Sequence, residues 1–203
     1  MSFRTSKIDS DIKKALLEKG FKQVCVLGAG LDTRPWRLET GLSKDEVKYF
    51  EVDFPEIFHY KLPILQKNGA VELVDYCKVE ADLSLPSWLE QLEQAGFKKD
   101  IPTIWLLEGL TGYLTEEELR LLFKRVTELS ARGSEIVATF LTPRVTKLHI
   151  GLHRFYPDDP LTFVREFGWT GTQTDTEYYA IALGRAGDPD TAVRNYFIVN
   201  ASI

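Results

Sequence analysis

The chain has 203 residues, 44% apolar and 27% charged, with a net charge of −5. That size and balance predict one globular domain over 1–203, and an acidic chain with no basic run argues against nucleic acid or an anionic membrane as partner. Two cysteines, Cys25 and Cys77, are too few for a zinc site or a disulfide framework; no apolar run approaches the ~18 residues of a membrane span and no signal-like stretch stands out, so the cytoplasm is the expected compartment. In chain order, Ile12, Ala15 and Leu16 at helical spacing predict a helix over 10–19, stopped by Gly20. The β-branched run Gln23–Leu27 reads as a strand buried on both faces, followed at once by Gly28-Ala29-Gly30, where the chain must turn sharply. Pro35 opens a short helix ended by Gly41; a second strand covers 47–53. Pro55 opens the next helix, which Pro63 is expected to kink or restart. A third strand at 76–81 runs into Asp82, and 87–95 is a helix with Trp88, Leu89 and Leu92 on one side.

Strand four, Thr103–Leu107, has Trp105 as a core residue and ends on Glu108. Thr115 and Glu118 form a capping box for a long helix over 116–131, whose acids Glu116, Glu117 and Glu118 suit a first turn. Strand five is Glu135–Leu141; 142–160 reads as irregular, 161–167 as helix and 169–174 as strand six. The segment 176–185 fits helix or strand, and 196–201 closes the chain as strand seven. Alternating strands and helices predict an α/β, doubly wound, mostly parallel seven-stranded sheet with helices on both faces.

Four signals fall at the carboxyl ends of successive strands: Gly28 with Gly30, Asp53, Asp82 and Glu108. In an open α/β sheet those ends line one ligand-binding edge. The loop is not a dinucleotide fingerprint, because Thr33 stands where a third glycine belongs and Asp32 would repel a pyrophosphate. S-adenosylmethionine, with a sulfonium, an ammonium and a carboxylate but no phosphate, suits such a pocket better than NAD.

The runs VCVLGAGLDTRPWRL, FEVDFPEIFHYK, ADLSLPSWLEQL and PTIWLLEGLTGYLTEEELRLL together resemble the leucine carboxyl methyltransferase family, whose members include phosphatase carboxyl methyltransferases and bacterial O-methyltransferases. The likeness extends from Phe3 onward, with FRTSKID similar to the family's Arg-Thr segment ahead of the first helix. It implies a class I methyltransferase, Rossmann-like fold and O-methylation of a carboxylate or hydroxyl on a small molecule or peptide, with S-adenosylhomocysteine as product. It further implies that Arg4 pairs with the methionine carboxylate and that Gly28 and Gly30 meet the methionyl portion. Asp53 would then accept the ribose hydroxyls, Asp82 and Leu83 bracket the adenine, and Glu108 sit near the cofactor amino group and the acceptor. Asp32 and Arg34 belong to the motif and are expected to orient the loop as an ion pair, with Asp32 also a candidate cofactor contact and Glu108 and Tyr113 the candidate catalytic residues.

Only about twenty residues precede strand one, whereas relatives usually carry a longer amino-terminal segment. That shortening implies an acceptor site that is open or completed by a partner, and leaves self-association open. The alternative is a reduced family member that binds the cofactor or serves as a scaffold. The acceptor side is expected near 142–168, where His149 and His153 are candidate bases and His59 is structural. Tyr113 faces the cofactor edge or packs under the long helix. Phe155, Tyr156, Phe163, Phe167 and Trp169 line an apolar acceptor pocket or simply pack together.

Overall fold

The computed structural model describes residues 3–141, 154–175 and 196–203. In chain order the elements are α1 (Phe3–Glu18), β1 (Gln23–Leu27), α2 (Arg34–Arg37), β2 (Lys48–Asp53), α3 (Pro55–Lys67), β3 (Asp75–Glu80) and α4 (Ser87–Gln94). Then follow β4 (Thr103–Leu107), α5 (Glu116–Glu128), β5 (Glu135–Leu141), α6 (Pro160–Arg165), β6 (Thr170–Asp175) and β7 (Tyr196–Ser202). The seven strands form one sheet in the order β3-β2-β1-β4-β5-β7-β6. Six strands run in one direction, and β7 alone is reversed, antiparallel to both β5 and β6. This is the doubly wound, mostly parallel sheet that the alternating elements predict.

Side-chain alternation along the strands builds two cores. Val24 and Val26 of β1 point to one face, where Ile8, Ile12, Ala15 and Leu16 of α1 cover them. Cys25 and Leu27 point to the other, packing with Trp88 and Leu92 of α4, Trp105 of β4 and Phe123 of α5. Trp88, Trp105 and Phe123 are fully buried, each contributing on the order of 2–3 kcal/mol of hydrophobic stabilisation. The capping box of α5 forms as expected: Thr115 Oγ1 accepts from the Glu118 amide and Glu118 Oε2 from the Thr115 amide.

Helices α1, α2 and α3 depart from the expected pattern. The first helix starts at Phe3 rather than residue 10, because Ile8 stands one turn before Ile12 and is equally buried; Arg4 and Thr5 therefore lie within the helix and not ahead of it. Pro63 does not restart α3, which runs without a break from Pro55 to Lys67. Pro63 and His59, whose carbonyl loses its helical donor to the proline, are both exposed, so water can take the missing partner's place. The α2 helix is a single turn instead of running to Gly41. The segment 176–185 lies outside the described residues.

Candidate functional site

The order β2-β1-β4 reverses direction between β1 and β4, so their carboxyl ends open a crevice at the sheet's topological switch point. The glycine loop enters it from β1. Gly28 (φ +65°) and Gly30 (φ +50°) both hold a left-handed backbone that glycine adopts without a Cβ penalty. The Gly28 amide extends the ladder by donating to the Val52 carbonyl at 2.9 Å. Asp53 at the end of β2 is buried; its Oδ2 accepts from the Gly30 amide at 2.6 Å and its Oδ1 from the Phe54 amide at 2.7 Å. Asp53 thus fixes the loop from below.

A network of six charged side chains forms the floor. Arg34, only 3% exposed, reaches three carboxylates: Nε to Asp9 Oδ1 (2.7 Å), Nη1 to Asp32 Oδ2 (2.9 Å) and Nη2 to Glu108 Oε2 (2.7 Å). Arg4 Nε takes the other oxygen of Glu108 at 2.8 Å. Arg37 grips Asp9 through both terminal nitrogens. Burial pulls the Arg34 pKa down, but the fields of Asp32, Tyr49 and Glu108 and the bond to Asp9 outweigh it and hold its pKa above the ordinary value. Burial likewise opposes the Asp9 charge, and the bonds from Arg37 and Arg34 overcome it, lowering its pKa. The expected Asp32–Arg34 ion pair is therefore present, inside a larger network that ties α1, the loop and the end of β4 together.

Thr139 of β5 sets the turn after β4. Its Oγ1 accepts from the Gly109 amide at 2.8 Å, and its carbonyl accepts from the Thr111 hydroxyl at 2.7 Å. This holds Glu108 toward α1 and the loop.

Above the floor lies a cavity of about 780 Å³. Arg4, Gly28, Gly30, Asp32, Glu108 and Tyr113 all line it, so six of the sequence-derived candidates come together. Tyr113 is half exposed there and does not pack under α5. Asp53, Asp82 and Leu83 do not line this cavity. Asp82 follows β3, its Oδ1 accepting from the Ser84 amide at 2.9 Å, and Leu83 is half buried against the core. Of the two readings of the aromatic residues, packing holds for four: Phe163 sits edge-on to Phe123 at 5.5 Å, and Phe155, Phe167 and Trp169 join the same core. His59 is exposed on α3, and His149 and His153 lie outside the described residues.

Sequence reasoning missed Asp9, Arg37 and Thr139 at the site, and Glu51 and Lys61 beneath it. Asp9 had a readable signal, an acid on the apolar stripe of Ile12 and Leu16. Glu51 had another, a charge inside a strand otherwise buried.

A reversed β7 beside a parallel sheet, with a glycine loop and an acid flanking the switch point, defines the class I methyltransferase fold. Solved structures with this fold include a provisionally named methyltransferase from Thermobifida fusca (TM-score 0.70, 17% identity, covering 98% of this chain and 80% of that one). Another is magnesium protoporphyrin IX methyltransferase from Synechocystis with bound S-adenosylhomocysteine (TM-score 0.61, 16% identity, 97% and 82% covered). The family model described as leucine carboxyl methyltransferase matches residues 1–127, and the chain belongs to that family. A Mycobacterium marinum protein, provisionally named an S-adenosyl-L-methionine-dependent methyltransferase, is 38% identical over 142 residues, 70% of this chain and 43% of its own length. A Mycobacteroides abscessus protein of the same provisional name is 32% identical over 91% of this chain and 67% of its own. The chain thus spans less than half the length of the first of these relatives and about two thirds of the second.

Proposed function

We propose that this chain binds S-adenosylmethionine along the carboxyl edge of β1 to β4. We further propose that it directs the methyl group to an oxygen, carboxylate or hydroxyl, of a small molecule or peptide, leaving S-adenosylhomocysteine. The observation that carries the reading is the Arg4–Glu108–Arg34 arrangement at the cavity floor beside the glycine loop. A cofactor with a zwitterionic amino-acid end needs a cation for its carboxylate and an anion for its ammonium, side by side, and Arg4 and Glu108 are that pair. A Cβ built on Gly30 would meet nothing within 4 Å, so this stretch of loop presents bare backbone to a ligand. Arg34 beside the loop is spent on Asp9, Asp32 and Glu108, so its guanidinium is not offered to a pyrophosphate.

When bound, the cofactor supplies a methyl group on a sulfonium, passed by in-line displacement. The protein's part is orientation, worth on the order of 7–11 kcal/mol. Asp53 is assigned the ribose hydroxyls, Asp82 and Leu83 the adenine, and Arg4 the carboxylate. Glu108 is engaged on both oxygens by guanidiniums, so it is assigned to binding rather than to proton removal. An ionised carboxylate acceptor needs no base. For a hydroxyl acceptor, Tyr113 at the cavity wall is the assigned proton-handling group. Among the described residues no helix is long and apolar enough to cross a membrane, and Cys25 and Cys77 are free thiols, which supports a reducing compartment such as the cytoplasm.

Calorimetry with S-adenosylmethionine, S-adenosylhomocysteine and NAD tests the cofactor. Binding of the first two and not the third is expected; no binding of the first two sinks the reading. Transfer of labelled methyl to a carboxylate or phenol panel is expected next, and binding without transfer to either would favour the scaffold alternative.

A further inference from the structure

Beneath the glycine loop, on the side away from the cavity, lies a second buried polar cluster that the proposed reaction does not use. Glu51 is fully buried in the middle of β2, and Lys61 of α3 is 3% exposed. Lys61 Nζ donates to Glu51 Oε2 at 2.5 Å, and the Tyr76 hydroxyl donates to the same oxygen at 2.8 Å. Glu51 Oε1 is buried with no partner. Such a pair is a poor source of stability. Removing two charges from water is costly, the orphaned oxygen adds to that cost, and apolar residues of the same size usually do as well or better.

What the pair does supply is a third contact. Lys61 Nζ also donates to the Asp32 carbonyl at 3.2 Å. The backbone of the glycine loop at Asp32 is therefore held from below by a helix that starts two residues after Asp53. Tyr49, two residues before Glu51 on the same face of β2, donates to the Asp32 carboxylate at 3.3 Å. The Trp36 ring packs on Tyr76, 4.7 Å between centroids, with Lys61 Nζ 5.8 Å from the Trp36 ring, so the ammonium is confined laterally as well. Glu51 aims and neutralises Lys61; Lys61 holds the loop.

We infer that Lys61, aimed by Glu51, is a positioning residue for the cofactor: through the Asp32 carbonyl it fixes the glycine loop in register with Asp53. The inference rests on the proposed cofactor reading, and it adds residues that touch neither cofactor nor cavity. A methionine at position 61 keeps the stem and removes the donor. The triple variant E51L/K61M/Y76F removes the whole cluster, leaving none of its three side chains with a buried unmatched group; only the Asp32 carbonyl loses its donor.

The test uses wild type, K61M and the triple variant, each with three readouts: thermal unfolding, S-adenosylhomocysteine affinity by calorimetry, and amide hydrogen exchange across 29–33 without ligand. In K61M, affinity is expected to fall at least tenfold and loop amides to exchange faster than those of β1. In the triple variant, the unfolding temperature returns to within a few degrees of wild type while affinity and loop exchange remain those of K61M. Recovery of affinity together with stability would overturn the inference, since the pair would then be structural only. Wild-type affinity and exchange in K61M would overturn it as well. Should wild type itself not bind S-adenosylhomocysteine, the cofactor reading fails and this proposal of a cofactor-positioning role falls with it. Loop exchange then still reports separately whether Lys61 holds the backbone.

Discussion

Arg4 Nε lies 2.8 Å from Glu108 Oε1, joining the first turn of α1 to the end of β4, 104 residues away in sequence. Glu108 spends its second oxygen on Arg34 at 2.7 Å. Replacing Glu108 with glutamine turns one of these oxygens into an NH₂ group facing a guanidinium and removes the anion assigned to the cofactor ammonium. The expected loss in S-adenosylhomocysteine affinity is about 1.5–3 kcal/mol, the scale of a hydrogen bond to a charged group. Because Arg4 shares that carboxylate, R4M and E108Q should be non-additive by at least ~0.5 kcal/mol in a double-mutant cycle read by calorimetry. Strict additivity would separate the two residues.

Gly28 tests the loop geometry alone. Its φ of +65° is strained for any residue with a Cβ, and a Cβ there would stand 2.9 Å from Leu110 Cδ1. The G28A variant is expected to lose about 1–3 kcal/mol of stability in urea unfolding. In G28A/L110A the steric part disappears and the backbone part stays, so recovery is partial after correction for L110A alone. Complete recovery would show that the left-handed backbone costs nothing here.

Asp53 combines two jobs, holding the Gly30 amide at 2.6 Å and, as proposed, taking the ribose hydroxyls. The D53A variant should weaken S-adenosylhomocysteine by a few kcal/mol. The two jobs separate with a 2′-deoxy analogue of the ligand. If Asp53 contacts the ribose, D53A discriminates less than wild type between ligand and analogue. Unchanged discrimination leaves Asp53 as a loop anchor only.

The sequence carried the parts of this molecule that depend on local pattern. Short apolar and β-branched runs marked β1, β2, β4 and β5, and the strand-end residues Gly28, Gly30 and Glu108 marked the crevice before its walls were known. What escaped were relations between distant segments. Asp9 looks like a solvated helix residue until Arg34 and Arg37 arrive from α2, 25 and 28 positions later. Lys61 looks like the polar face of α3 until Glu51 and Asp32 surround it. The aromatic residues around Phe163 were ambiguous for the opposite reason: composition alone does not separate a pocket wall from a core, and here Phe123 of α5 fills the space between them.

Glu51 predicts a pH dependence of stability opposite to the usual carboxylate trend. Burial pushes its carboxyl up from 4.5 to about 7, against the pull of Lys61 and the Tyr76 hydroxyl and with the help of Asp32. A carboxyl with a raised folded pKa binds more protons folded than unfolded between those two values. Its contribution is therefore fully present below pH ~4.5 and is lost as pH rises through 7. Asp9 runs the other way: its lowered pKa gives stability present above the ordinary aspartate value and lost only as pH falls further, outside this window. Between pH 5 and 8 the unfolding free energy of wild type should thus fall by about 2–3 kcal/mol relative to E51Q, whose side chain does not titrate. The comparison cancels the histidines, which both proteins share. Urea unfolding of the two proteins at pH 5, 6, 7 and 8 checks this directly. A difference that stays flat across the series means that Glu51 is ionised throughout, and that Lys61 holds a permanent anion beneath the loop.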